Sequence, residues 1–181
     1  MISEREALQL LQKYGVPKQV VEHSRAVSER AVEIAKSINA RGKAKVDVEK
    51  VRITGLLHDI GKAKTLIENG EKEGANKRHE DEGAIILEAE ALGDIARMVS
   101  KHGFYFLTRR SPRLTIEEKV LVYADATING DKGCSLDERL ARLMEIYSAG
   151  GTKEDLVLAE TIRKNFYKVN ELEKEIKGLM A

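Results

Sequence analysis

A chain of 181 residues is long enough to bury a hydrophobic core of its own. Its 31 basic and 30 acidic residues nearly cancel and form no long block of one sign, which argues against a dedicated nucleic-acid surface. The single cysteine, Cys134, excludes an internal disulfide and any multi-thiolate metal site, and no apolar run of about 18 residues offers a membrane span. The opening Met1-Ile-Ser-Glu-Arg-Glu leads into no signal-type apolar segment, so a cytoplasmic location is expected.

Hydrophobic periodicity is helical nearly throughout, and no segment alternates apolar and polar residues over several positions, so strands are not expected. Ser3, with Glu6 three residues on, caps a short first helix that ends near Tyr14-Gly15. Pro17 opens a second, about Lys18 to Asn39, with Val20, Val27, Ala31, Ile34 and Ile38 on its inward stripe. A third runs from about Asp47 to Asp59 and is closed by Gly61. The stretch Glu68 to Arg78, with its glycines, asparagines and charges, reads as a mobile loop.

A fourth helix starts near His79, with Glu80, Asp81 and Glu82 suited to its positive end. Gly93 separates it from a fifth that ends at His102-Gly103, and a second loop covers about Phe104 to Leu114. Thr115, paired with Glu118, caps a helix running to about Ile128, and Asn129 to Gly133 form a turn. Ser135, with Glu138 three residues on, caps the next helix, and Gly150-Gly151 break it. A last long helix from Thr152 carries Ile162, Phe166, Val169, Leu172, Ile176 and Leu179 on one stripe. There is no internal repeat. One domain over residues 1–181 is expected, with a core of about 18–130 and C-terminal helices, about 135–180, packed on it; a homodimer contact through the last helix is the alternative.

Several polar residues stand where the helical pattern calls for apolar ones. His23 lies three after Val20 and four before Val27; His102 follows Val99 by three; Asp125 lies four after Leu121. A buried carboxylate is disfavoured unless a cation or hydrogen bonds compensate it. Between them, the apolar run Leu56-Leu57-His58-Asp59-Ile60-Gly61-Lys62 delivers an imidazole and a carboxylate side by side at a helix C-terminus. Neighbouring helical residues point about 100° apart, so this pair serves two directions. Gly55, one turn earlier, leaves room for another helix to approach. Each of these residues alone fits an ordinary structural role, His23 as a core histidine and His58 or His102 as a helix cap. All four histidines of the chain nevertheless fall into one order: His, His-Asp, His, His, Asp. Imidazole with carboxylate suits Mn, Fe, Co, Ni or Zn better than Ca or Mg.

His23, His58-Asp59-Ile60-Gly61 and Asp125 in Tyr123-Ala124-Asp125 resemble the HD superfamily of metal-dependent phosphohydrolases, over about residues 18–130. The resemblance implies an all-α, compact helical bundle. It implies that His23, His58 and Asp125 ligate a first metal, His79 and His102 a second, and that Asp59 bridges two divalent transition-metal ions. Thr115 to Asp125 is similar to the symmetrical diadenosine tetraphosphatase-like subgroup, and the chain also looks like archaeal HDIG-domain proteins, among whose relatives cyclic phosphodiesterases are known. The residues after Asp125 differ from the former. Lys62 stands where some HD nucleotidases carry a glutamate.

Such a site hydrolyses a phosphoester with a metal-activated water. Asp59 and Lys62 are the expected catalytic residues, and a nucleotide or other small phosphoester the expected partner. Lys62, Lys77, Arg78, Arg109 and Arg110 are the candidate phosphate contacts. Two alternatives stay open: a di-iron oxygenase, since HD-fold oxygenases use the same six ligands, and a nucleotide-binding regulatory module without turnover.

Overall fold

The computed structural model describes residues 2–65, 78–104, 106, 113–149 and 153–181. Lys77, Arg109 and Arg110, and most of the two expected loops, lie outside this set. The helices are α1 (Glu4–Lys13), α2 (Lys18–Arg41), α3 (Val48–Leu57), α4 (Lys62–Thr65), α5 (His79–Ala89), α6 (Gly93–Val99), α7 (Ile116–Ala126), α8 (Leu136–Ala149), α9 (Lys153–Asn165) and α10 (Tyr167–Met180). The fold is all-α.

The caps expected at Ser3, Thr115 and Ser135 form, and Asp47 adds another. Ser3 and Thr115 close capping boxes with Glu6 and Glu118, and the Asp47 carboxylate accepts from the Lys50 amide at 3.0 Å. Each removes an orphan amide at a helix start, a contribution of about 1 kcal/mol. Among the described residues, the buried apolar side chains gather in two clusters. One gathers Val27, Ala31, Ile34 and Ile38 of α2 with Val51, Leu121, Phe166, Val169 and Ile176. The other gathers Leu11, Ile53, Leu56, Leu57, Ile60, Ile86, Leu87 and Val99. Both α2 and α3 supply side chains to both clusters and so form the spine of the molecule. Their contact is close because Gly55 lacks a Cβ: one placed there would sit 2.7 Å from the Ser28 Cα.

Three local expectations change. Residues Ile128–Asn129 and Lys132–Gly133 pair as a minimal antiparallel hairpin, in the register Ile128 to Gly133 and Asn129 to Lys132. Strands of two residues are too short to show alternation, and Gly130 takes the positive φ of 62° that the turn needs. The long last helix divides at Phe166. This side chain is buried and stacks 6.0 Å from Phe104, while the Asn165 amide bonds back to the Thr161 carbonyl. α3 ends at Leu57, capped by His58, so Gly61 lies in the turn beyond it and does not close it. Gly61 serves a close approach instead, since a Cβ there would lie 2.0 Å from the His79 carbonyl oxygen. The stripe Val169, Leu172 and Ile176 of α10 is spent on the core with α2 and α7.

Candidate metal centre

His23 comes from the middle of α2, His58 and Asp59 from the turn after α3, His79 from the first residue of α5, His102 from the segment after α6, and Asp125 from the last turn of α7. All six meet. The rings of His23, His58, His102 and His79 form a row with successive centroids 5.3, 5.0 and 5.3 Å apart.

The backbone sets the direction of three rings. His23 Nδ1 lies 2.7 Å from the Gly130 carbonyl, His58 Nδ1 2.7 Å from the Gly55 carbonyl, and His102 Nδ1 2.6 Å from the Val99 carbonyl. A carbonyl only accepts, so in the neutral ring Nδ1 carries the proton and Nε2 keeps its lone pair. These Nε2 atoms point at the two carboxylates. His23 Nε2 is 3.2 Å from Asp125 Oδ1, and His58 Nε2 is 3.9 Å from the same oxygen. The two oxygens of Asp59 face different partners. Oδ2 lies 3.4 Å from His58 and 3.7 Å from His23; Oδ1 lies 3.3 Å from His79 and 3.8 Å from His102. His58 Nε2 is buried and has no hydrogen-bond partner among the described residues. An orphaned buried acceptor costs about 1–3 kcal/mol, which a cation would relieve.

Electrostatics divide the four imidazoles into two kinds. Burial pushes His58 down to about 4, against the attraction of Asp59 and Asp125, so it is neutral at pH 7. Burial also lowers His79. For His23 and His102 burial acts downward but is outweighed by Asp125 and Asp59, and both are raised. Burial alone would raise the carboxylates. Lys62 and His58 hold Asp59 well below the usual range, and Arg139 and His23 do the same for Asp125. Among the described residues, three groups of donors lie close enough for a cation: His23, His58 and Asp59; His58, His102 and Asp125; Asp59, His79 and His102. Nitrogen and oxygen ligands of this kind fit a divalent transition metal.

The remaining candidates divide. Lys62 joins the cluster, its Nζ 2.5 Å from Asp59 Oδ2. Arg78 instead forms a two-point pair with Asp81, at 2.7 and 2.8 Å, across the start of α5. Three partners escape the sequence. The Gly130 carbonyl orients His23. Glu80 is buried with Oε2 3.6 Å from His79 Nδ1, although the sequence offers it only as a helix-start acid. Arg139 of α8 reaches back to Asp125, and its one sequence signal is a cation in the first turn of a helix, where the helix dipole disfavours it.

Comparison with known proteins gives a match to the HD domain over residues 20–130. The chain belongs to the HD domain family. HD domains are mostly metal-dependent hydrolases that bind divalent metals. An uncharacterized protein of Methanocaldococcus jannaschii is 36% identical over 132 residues, which cover 66% of this chain and 72% of that one. A tRNA (cytidine(56)-2'-O)-methyltransferase of Thermoplasma volcanium is 33% identical over 147 residues, 75% of this chain; the match spans only 39% of the methyltransferase. No solved structure gives a significant match. Among the described residues, no helix of this HD domain is long and apolar enough to cross a membrane.

Proposed function

We propose that this HD domain hydrolyses a small phosphoester, most simply of a nucleotide, at a dinuclear metal site. The carrying observation is the split loyalty of Asp59: one carboxylate oxygen faces His23 and His58, the other faces His79 and His102. A carboxylate flanked in this way suits a bridge. On that reading His23, His58 and Asp125 would hold one cation and His79 and His102 the other. Bound there, the cations would lower the pKa of a coordinated water and offset charge on the phosphoryl oxygens.

The chain's own groups do the rest. Asp59 and Asp125, both kept ionised, orient the attacking water through their free lone pairs. Lys62 holds the Asp59 carboxylate and places an ammonium beside the phosphoryl group. Lys77, Arg109 and Arg110 remain candidate phosphate contacts. The methyltransferase relative, whose name specifies a tRNA cytidine, supports a nucleotide-derived substrate. Metal analysis of the protein as isolated tests the reading, followed by a panel of mononucleotides, dinucleoside polyphosphates and cyclic phosphodiesters under anaerobic conditions. Hydrolysis of one class without oxygen supports it. Oxygen uptake by the reduced iron-loaded protein, with no hydrolysis, replaces it by an oxygenase.

A further inference from the structure

Arg139 lies beyond the stretch that matches the HD family, on the first turn of α8. Its guanidinium nevertheless reaches the metal cluster: Nη2 donates to Asp125 Oδ1 at 3.2 Å, the same oxygen that faces His23 and His58. The side chain is 14% exposed, and its Cζ sits 5.8 Å from the centroid of Phe104, two residues after His102. An arginine carries five N–H donors in a rigid fork. Here Nε is buried and donates to no acceptor among the described residues.

A guanidinium placed only to neutralise Asp125 has little reason to leave that donor unmet, since a buried unsatisfied donor costs about 1–3 kcal/mol. Nor is the first turn of a helix a favourable place for a cation. Asp125 has about four acceptor positions, so it can hold Arg139 and still ligate a metal. We infer that Arg139 is a substrate-binding residue, anchored by Asp125 and Phe104 at the edge of the cluster, whose remaining donors grip the non-bridging oxygens of the substrate's phosphoryl group. The inference rests on the phosphohydrolase reading and adds to it a specificity for dianionic phosphate from outside the family core.

Inorganic phosphate is the probe, titrated calorimetrically into the full-length protein loaded with Mn²⁺. Loss of one or two charge-assisted hydrogen bonds in Arg139→Gln is expected to weaken phosphate binding on the order of 10- to 100-fold. Metal content should stay at the wild-type level, while loss of the pair with Asp125 lowers the melting temperature without unfolding the protein at the assay temperature. Arg139→Lys, which keeps the charge without the fork, should fall between. Phosphate affinity within about twofold of wild type in Arg139→Gln overturns the inference. So does a loss of metal that accounts for the loss of phosphate, because Arg139 would then only position Asp125. If Arg139→Gln does not fold, Arg139→Lys decides by the same two outcomes. Wild-type protein that binds metal but neither phosphate nor any phosphoester removes the hydrolase reading together with this one. Phosphate-binding wild type with an indifferent Arg139→Gln removes this one alone.

Discussion

At one end of the imidazole row, His23 is pinned through Nδ1 by the Gly130 carbonyl and meets Asp125, itself held by Arg139. At the other end, 28% of the His79 side chain is exposed, and its Nδ1 faces the Glu80 carboxylate at 3.6 Å. The first end is enclosed and its donors are pre-aimed; the second opens toward solvent. A pre-organised ligand set loses less freedom on binding. On the dinuclear reading, the His23 end therefore holds its cation more tightly, and the His79 end is where ions and substrate exchange.

The most damaging change strikes the residue shared by both ends. Asp59→Ala is expected to abolish hydrolysis, by a factor on the order of 10³ or more, and to strip both cations; full activity with bound metal would refute the bridging role. Next comes the asymmetry itself. His79→Ala should retain about one metal per chain after dialysis, whereas His23→Ala should lose more than that, as elemental analysis would show. Equal losses would erase the distinction between the ends. Gly61→Ala would push a methyl group onto the His79 carbonyl, 2.0 Å from its Cβ, and separate α5 from the turn that bears Asp59. A cost of roughly 3 kcal/mol is expected in urea denaturation.

The pH dependence of the metal-free protein separates the two kinds of histidine. His58 falls to about 4 in the folded state, below its unfolded value of about 6.5. Between those values the unfolded chain binds more protons, so stability is full above about pH 6.5 and drains away as pH falls toward 4. His79, also lowered, acts in the same direction. His23 and His102 are raised, so their contribution is present below about pH 6.5 and fades only as pH climbs through their folded values. Denaturant titrations of chelator-treated protein should thus show roughly 2–3 kcal/mol lost from pH 6.5 to 4, and less in His58→Asn. The smallest effect belongs to Glu80→Gln, expected to weaken metal binding at the open end about tenfold while leaving the enclosed end unchanged.

The helices were legible from their apolar periodicity, and His23, His102 and Asp125 from interrupting it, whereas His79 joined the set only through the resemblance to the HD family. Polar residues at Val20-type and Leu121-type positions of an inward stripe announce that something must compensate them. The supporting contacts leave no such trace. Gly130 orients His23 through its carbonyl, which every residue possesses, so no side-chain pattern marks it. Arg139 and Glu80 look like ordinary helix-surface charges until the chain folds back. The division at Phe166 was hidden because both halves keep the same apolar stripe, and the Phe166 ring meets Phe104 from a distant part of the chain. Lys77, Arg109 and Arg110 lie outside the described residues.

The hairpin after α7 has a practical consequence for shortened versions of the molecule. A fragment trimmed to residues 20–130 would keep every candidate ligand. It would lack Lys132 and Gly133, whose pairing with Asn129 and Ile128 presents the Gly130 carbonyl. Such a cut would lower metal affinity without removing a single ligand, both by releasing the His23 ring and by stripping Phe166, Val169 and Ile176 from the core against α2.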